Sequence, residues 1–327
     1  MGCGKVLQKS ILIFLKISLF LLFLINQSCT QAPEPPLRIG SNVWPGYEPL
    51  YLARELGFYQ SAPIRLVELA SATDVIHAMR SGTLEAAALT LDEVLTLLDQ
   101  GIGLKLILVF DFSHGADALI AKSTIAELPS LRNKRIAVEN TAMGALLLDS
   151  ALSAGGLTVA DVEIMSCNVD LHSQCFETVD ALVTFEPTRT KLVNQGARVL
   201  FDSSQIPGRI VDVLAVRDFA LEQHKNALRQ LVSGYFKARQ FMQRSKSESA
   251  NILARRLNVE PAAVFGLYQG ILLPDAAEIR HLLTPGNESL EVTVNELADF
   301  MLARNLIKNR VDYSGLVDAQ FLPEIAE

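Results

Sequence analysis

The chain has 327 residues, half of them apolar, and a formal charge of −7 at pH 7. This length and apolar content are sufficient for two lobes, each with its own core. The acidic balance and the lack of any basic tract exclude nucleic acid as an expected partner, because a negative surface repels the phosphate backbone.

The N-terminus has the pattern of an export signal. Three lysines within the first 16 residues precede a nine-residue apolar run at residues 17–25. A membrane-spanning helix needs about 20 apolar residues, so this shorter run is typical of a signal peptide. We therefore predict a signal peptide over residues 1–28 and a mature protein in the periplasm.

Cys29 follows the apolar run and Ser28, an arrangement similar to a lipoprotein processing site. We expect a lipid on Cys29 that anchors the protein to a membrane of the bacterial envelope. Simple cleavage without a lipid and an uncleaved anchor are the alternatives. Residues 29–36 contain three prolines and predict a short, stiff tether.

Residues 37–59 have the pattern of a strand, a loop and a helix. Pro49 suits the first turn of the helix, and Gly57 suits its end. The loop places Trp44 and Tyr47 just ahead of the helix N-terminus. Open α/β sheets bind ligands at this position, so the loop predicts a ligand pocket.

Strand and helix patterns then alternate, which predicts parallel βαβ units. The predicted strands are residues 63–69, 84–89 and 105–110, and the predicted helices are residues 73–80 and 91–100. Ser71 with Asp74, and Thr90 with Glu93, have the pattern of helix N-caps. Capping competes with ligand contact as the role of Ser71 and Thr90.

A second α/β unit begins near Ser113. Its predicted strands are residues 134–139, 162–167, 181–185 and 198–201, and its predicted helices are residues 145–154 and 186–195. Residues 213–217 predict a strand that returns to the first unit, and the chain is predicted to be helical from residue 221. The order is therefore lobe one, lobe two and lobe one again.

Cys167 and Cys175 are the cysteines that remain beyond the signal and the lipid site. An oxidising compartment favours a disulfide between them. Two unpaired thiols are the alternative.

Three motifs, in this order, resemble the periplasmic substrate-binding proteins of ABC importers for nitrate, sulfonate, taurine and thiamine precursors. They are the opening segment at residues 37–59, the Gly-Thr-Leu-Glu-Ala-Ala turn at residues 82–87, and the strand from Asp-Ala to Phe-Glu-Pro within residues 179–187. The resemblance covers most of residues 37–322. It implies an α/β, two-lobe type II periplasmic binding protein fold with parallel-rich sheets and a ligand cleft between the lobes.

The resemblance also implies where the lobes begin and end. Residues 37–112 form the first part of lobe one, residues 113–210 form lobe two, and residues 211–327 complete lobe one. The chain should cross between the lobes near residues 110–118 and 204–213. A ligand gains contacts to both lobes only when the cleft closes, and a permease in the inner membrane can recognise that closed state.

Candidate ligand-binding residues lie at predicted strand ends and helix starts. They are Asn42, Trp44, Tyr47, Ala72, Thr73, Thr90 and Asp111 in lobe one, and Thr141, Ala142, Met143 and Glu186 in lobe two. Trp44 and Tyr47 also suit a local apolar cluster. Asp111 also suits a hinge, and Glu186 also suits a partner of a helix dipole. The histidines are scattered and no catalytic motif is present, so we expect no metal, cofactor or catalytic residue.

Carboxylates at strand ends, with few basic residues nearby, indicate the ligand class. Asp111, Glu139 and Glu186 favour a neutral or cationic heteroaromatic ligand, such as a thiamine-precursor pyrimidine. An anion such as nitrate or a sulfonate is the alternative, because helix N-termini alone can hold one. We expect a monomer. A ligand sensor that signals to a membrane receptor and a periplasmic enzyme are the rival functions, since fold does not fix function.

Overall fold

The computed structural model describes residues 35–59 and 62–324, so the predicted signal peptide, Cys29 and most of the tether lie outside the described residues. Within these two ranges, no helix is both long and apolar enough to cross a bilayer. The strands of the described residues are β1 (Leu37–Ser41), β2 (Ile64–Glu68), β3 (Ala86–Thr90), β4 (Leu104–Ser113), β5 (Asp117–Ala121), β6 (Arg135–Val138), β7 (Glu163–Ser166), β8 (Ala181–Phe185), β9 (Arg198–Asp202), β10 (Val211–Arg217) and β11 (Ile271–Leu272). The α-helices are α1 (Glu48–Glu55), α2 (Ala72–Arg80), α3 (Leu91–Asp99), α4 (Ala142–Ala154), α5 (His172–Thr178), α6 (Thr188–Asn194), α7 (Asp218–Gln223), α8 (Lys225–Arg244), α9 (Lys246–Leu257), α10 (Ala276–Leu282) and α11 (Leu290–Ala303).

The first sheet has the strand order β11-β4-β10-β3-β1-β2. β1 pairs in parallel with β2 and β3, whereas β10 runs antiparallel to β3 and β4. β3 and β10 are buried along nearly their whole length. Both faces of these strands are covered, and their sequences are accordingly apolar runs without strict alternation.

The second sheet has the strand order β7-β6-β8-β5-β9. β6 pairs in parallel with β7 and β8, whereas β5 runs antiparallel to β8 and β9. Each sheet thus combines a parallel part with an antiparallel strand that the chain enters from the other sheet, β10 in the first and β5 in the second; β11 adds a further antiparallel pairing to the first. Two α/β sheets connected in this way confirm the predicted type II periplasmic binding protein fold.

The chain passes between the sheets twice, at residues 114–116 and at residues 203–210. The two passages meet where the hydroxyl groups of Ser113 and Ser203 lie 2.7 Å apart in a hydrogen bond. The Gly115 backbone N–H also donates to Ser203 Oγ, at 2.6 Å. The connection between the lobes is therefore a pair of adjacent chain segments held together by side-chain hydrogen bonds.

Three elements differ from the sequence-based expectation. β5 is a strand that the sequence does not predict, because its two alanines favour a strand weakly and its pairing with β8 and β9 decides its conformation. α5 also escapes prediction, since its seven residues give too short a pattern. The prediction that the chain is helical from residue 221 is wrong at β11, which pairs with the end of β4.

Cys167 and Cys175 form a disulfide bond across a sequence separation of 8 residues. The bond ties the end of β7 to helix α5 on the outer part of the second sheet. Neither cysteine lines the cavity between the sheets.

Candidate functional site

A small cavity lies between the two sheets. Its wall consists of Asn42, Trp44, Tyr47, Ala72, Thr90, Glu93 and Asp212 from the side of the first sheet, and Asp117, Glu139, Met143 and Phe185 from the side of the second. The empty volume between the walls is about 360 Å³, but the centre of a water molecule fits within only about 30 Å³ of it. A small ligand placed here would contact both sheets at once.

The loop after β1 presents two aromatic rings to this cavity, and three features fix its course. The Trp44 indole N–H donates to Asp111 Oδ2 at 3.1 Å. The Tyr268 hydroxyl donates to the Pro45 carbonyl at 2.7 Å. Gly46 is required for this close approach, because a Cβ atom there would lie 1.8 Å from Asp111 Oδ2. The loop is therefore held against β4 in one conformation.

Asp111 on β4 and Asp212 on β10 lie opposite each other in the antiparallel pairing beneath the loop. Tyr47 donates its phenol hydrogen to Asp212 Oδ1, and the Asp212 carboxyl in turn forms a hydrogen bond with Asp111. Burial raises the pKa of Asp111 to about 7, and burial and the neighbouring Asp111 raise the pKa of Asp212 well above its usual value. Two buried carboxyls in this position do not both ionise readily, so the pair retains a proton near neutral pH.

The second sheet contributes two carboxyls and one ring from three neighbouring strands. Asp117 begins β5 and is the register partner of Phe185, which ends the antiparallel β8. Glu139 follows the end of β6, the parallel neighbour of β8. Burial raises the pKa of Asp117 and the pKa of Glu139, each to about 7. These groups are therefore only partly ionised near neutral pH.

Two contacts join the sides of the cleft across the cavity. The rings of Trp44 and Phe185 meet edge to face, with their centroids 5.9 Å apart. Thr73, at the start of α2, donates from Oγ1 to Glu139 Oε1 at 3.2 Å. Both contacts join residues of different sheets, so the structure represents a closed cleft.

The wall of the cavity is acidic. Glu93, Asp117, Glu139 and Asp212 line it, and no described lysine, arginine or histidine does. Burial raises the pKa of Glu93 well above its usual value, and the neighbouring Asp92 raises it further. In their ionised form these carboxyls only accept hydrogen bonds, so in that form the wall suits a ligand that supplies N–H donors.

The structure brings six of the eleven predicted ligand-binding residues into the wall: Asn42, Trp44, Tyr47, Ala72, Thr90 and Met143. Thr73 and Asp111 do not line the cavity, but each bonds a residue that does. Thr73 binds Glu139, and Asp111 holds the Trp44 indole from behind.

Three predicted residues of lobe two are placed outside the wall. Thr141 caps α4, with its Oγ1 accepting the Gly144 N–H at 3.1 Å, and Ala142 is the first residue of that helix. Glu186 binds within the start of the next helix, where Thr190 donates to its Oε1 at 2.8 Å. This is the helix-partner role that the sequence left open for Glu186.

Five wall residues are absent from the predicted set, and they share no single pattern. They are Glu93, Asp117, Glu139, Phe185 and Asp212. Glu139 and Phe185 stand at predicted strand ends, where the rule for ligands at carboxyl ends of parallel strands applies; the sequence indicates Glu139 as a strand-end carboxylate but not as a contact residue. Asp117 and Asp212 stand at the beginnings of antiparallel strands, which that rule does not consider. The sequence pattern accounts for Glu93 as part of the N-cap with Thr90 and so gives no reason to expect it in the wall. The structure retains this cap, because Glu93 Oε2 accepts the Thr90 N–H at 2.9 Å.

Two α/β sheets joined by two adjacent passages, with a closed cavity between them, define a protein of the type II periplasmic binding fold. The sequence matches the NMT1-like family over residues 30–258, and the chain belongs to this family. The predicted membership of the binding-protein group for nitrate, sulfonate, taurine and thiamine precursors is thereby confirmed. Comparison with curated protein sequences finds no significant match.

Solved structures share the fold at low sequence identity. The alkanesulfonate-binding protein SsuA from Xanthomonas axonopodis pv. citri, bound to MOPS, is 19% identical with a TM-score of 0.72, over 86% of this chain and 97% of that one. The aliphatic sulphonate binding protein SsuA from Escherichia coli is 17% identical with a TM-score of 0.72, over 90% of this chain and 96% of that one. The desulfurization enzyme DSZB is 19% identical with a TM-score of 0.65, over 88% of this chain and 97% of that one.

Proposed function

We propose that this protein is the extracytoplasmic solute-binding component of an ABC importer. It clamps a small ligand between its two lobes and presents it to a membrane permease. The observation that carries the proposal is the closed cavity whose wall is shared by both sheets. A ligand there contacts both sides only after closure, so its binding energy shifts the open and closed populations towards the closed form. Membership of the NMT1-like family supports this function.

The cavity wall favours a heteroaromatic ligand with N–H groups, such as a thiamine-precursor pyrimidine. Trp44 and Phe185 offer ring surfaces, and the four wall carboxyls offer acceptors. A nitrate-like or sulfonate-like anion is the weaker candidate, because the wall supplies no basic side chain from the described residues to balance it. The SsuA comparisons support the fold, and their identity is too low to carry over their ligands.

The proposed location is the periplasm, with Cys29 as a lipid anchor. The signal-like sequence before Cys29 supports export. The disulfide between Cys167 and Cys175 supports an oxidising compartment. Both features agree with a binding protein that delivers its ligand to the outer face of a permease.

The proposal is tested with a panel of pyrimidines, flavins, sulfonates, taurine, nitrate and bicarbonate. A ligand at 100 times its dissociation constant adds about 2.7 kcal/mol to the free energy of unfolding, which thermal unfolding detects. Small-angle X-ray scattering of the same samples should show a more compact protein. The proposal fails if no compound both stabilises and compacts the protein.

A matched pair of variants shows whether a ligand occupies the cavity. Ala72→Leu places bulk in the wall, and Ala277→Leu places the same bulk on the exposed surface of α10. Only Ala72→Leu should abolish the shift in melting temperature. Equal responses of the two variants would place the ligand elsewhere.

Two rival functions give different results in the same samples. An enzyme on this fold, as DSZB is, would consume the compound, so mass spectrometry of the recovered ligand should show it unchanged for a binding protein. A sensor lipoprotein would retain a receptor during ligand-dependent purification from membranes. An importer component would retain a permease with its ATPase.

A further inference from the structure

We infer that the cleft selects a ligand whose planar nitrogen group carries a positive charge, such as an amidinium, a guanidinium or a protonated aminopyrimidine, and that it rejects anions. The inference rests on the proposed binding function and names the chemical class of the ligand. Three features of the wall support it: the arrangement of the acidic groups, their lack of ion pairs with described residues, and the absence of a described basic residue from the wall.

The four wall carboxyls converge on the cavity from four different elements. Glu93 comes from α3, Asp212 from β10, Asp117 from β5, and Glu139 from the residue after β6. Each residue is at most 5% exposed, so the carboxyls face the cavity and not bulk solvent. Two belong to each side of the cleft, and a cation between them would be attracted by both sides at once. Closure would therefore be strengthened by the charge of the ligand.

The protein gives these carboxyls hydrogen bonds but no counterion. Thr90 donates to Glu93 and Thr73 donates to Glu139, and neither carboxyl forms an ion pair with a lysine, arginine or histidine of the described residues. A planar group with several N–H donors matches acceptors placed on both sides of it.

Two arginines whose charges act on carboxyls of the site, Arg189 on Asp117 and Arg239 on Asp111, are engaged elsewhere. Arg189 binds Glu186 at 3.1 Å, and Arg239 donates to the Leu273 carbonyl at 3.2 Å. Neither arginine lines the cavity. A sulfonate or nitrate would thus meet carboxyls with no described cation beside it, and it would bind only while these carboxyls kept their protons. A cation in the cavity lowers their pKa values and meets the ionised groups as counterions.

The aromatic residues of the wall suit the same ligand class. Trp44 and Phe185 face each other across the cleft. The face of an indole or phenyl ring attracts a cation, and a planar cation can stack on it while its edge binds carboxylates. The rings and the carboxyls of the wall therefore favour the same kind of ligand, a planar cation.

Three probes of similar size and planar shape separate charge from fit: guanidinium, urea and nitrate. Calorimetry and Trp44 fluorescence at millimolar concentrations measure their affinities. We expect guanidinium to bind at least about tenfold more tightly than urea, because two or more buried carboxylates attract it. Nitrate should give no signal at the same concentration.

Variants assign the preference to the wall. Glu93→Gln and Asp117→Asn should each reduce the advantage of guanidinium over urea by about tenfold or remove it. Glu163→Gln, on the outer strand β7 with a side chain that is 68% exposed, is the matched control and should leave the ratio unchanged. Circular dichroism of each variant checks that the fold is retained.

Three outcomes overturn the inference: no guanidinium binding, nitrate binding as tight as that of guanidinium, or a ratio that the wall variants leave unchanged. These outcomes are separable from failure of the proposed function. If a neutral or anionic compound of the larger panel compacts the protein while guanidinium does not bind, the binding function stands and the charge selection falls. If no compound compacts the protein, the binding function itself falls.

Discussion

Arg304, directly after helix α11, forms an ion pair with Asp149 of helix α4 at 2.6 Å. The pair links the C-terminal helices to the layer of the second sheet. Both side chains are partly exposed, so the contact lies at the rim and not in the cavity. It is a connection between the two sides that a ligand does not touch.

Arg304→Ala should weaken ligand binding by about 0.2–1 kcal/mol, because an exposed ion pair contributes this much to the closed state. The fold should remain, since the pair contributes little to either core. Calorimetric titration of the best ligand measures the loss. Arg310→Ala is the control, because it removes an exposed pair with Asp299 that lies within the C-terminal segment. Equal losses in both variants would show that the Arg304 pair has no part in closure.

Trp44 is the only tryptophan in the chain, so fluorescence reports on the cavity alone. Saturating ligand should change the intensity or wavelength of its emission. Trp44→Ala should weaken binding by about 1–3 kcal/mol through loss of the ring contact. Phe219→Ala, at an exposed phenylalanine of α7, should leave affinity unchanged. Unchanged emission at saturation, with unchanged affinity in Trp44→Ala, would remove Trp44 from the site.

The free energy of unfolding of the ligand-free protein should fall as pH rises from 5 to 8. Burial raises the folded-state pKa of Asp117 from 3.8 to about 7, so the folded protein binds more protons than the unfolded chain across this window. The charged groups that interact with Asp117 are Asp92, Glu186, Arg189, Asp111 and Asp212. Asp117→Asn should reduce this pH-dependent decrease in the free energy of unfolding by at most about 4 kcal/mol. Urea unfolding at several pH values measures the free energy of unfolding of each variant. The prediction is contradicted if this free energy falls with pH as steeply in Asp117→Asn as in the control Glu163→Gln.

Replacing both Cys167 and Cys175 by serine should lower the free energy of unfolding by about 2–3 kcal/mol, as expected for opening a short cross-linked loop. Ligand affinity should change little, because the disulfide lies outside the cavity wall. Chemical unfolding with and without reductant measures the loss. Reductant should destabilise the wild type and leave the double variant unaffected.

Cys29→Ser should release the protein from membranes without changing ligand affinity, because the wall of the cavity is built from residues between Asn42 and Asp212. Membrane fractionation after a carbonate wash distinguishes a lipid anchor on Cys29 from an uncleaved apolar anchor. Equal retention of the variant and the wild type would indicate that the apolar residues 17–25 act as an uncleaved anchor.

The first-sheet side of the site was largely predictable, because local patterns place its residues. Asn42 and Thr90 follow or end parallel strands, and Ala72 begins a helix, so the rule for strand ends finds all three. Met143 was found in the same way on the second side. The positions of these residues can be predicted from the local sequence pattern alone.

The acidic character of the wall depends on pairings that the sequence does not reveal. Asp111 and Asp212 become neighbours only through the register of β4 and β10, which are far apart in the chain. Asp117 reaches the cavity because β5 runs against β8, and no local pattern specifies that direction. The ring of Phe185 is brought to Trp44 by closure of the cleft. Long-range register and lobe closure therefore complete the site.

The strands that bound the second sheet in sequence also lie side by side, since Ala118 of β5 is the register partner of Asp202 of β9. The chain thus leaves the first sheet and returns to it at almost the same point, beside the Ser113–Ser203 hydrogen bond. A contiguous stretch with adjacent ends is the kind of segment that can be exchanged between genes without rerouting the rest of the chain. Four of the eleven residues of the cavity wall lie in this stretch, so a single recombination event could give the scaffold a new ligand.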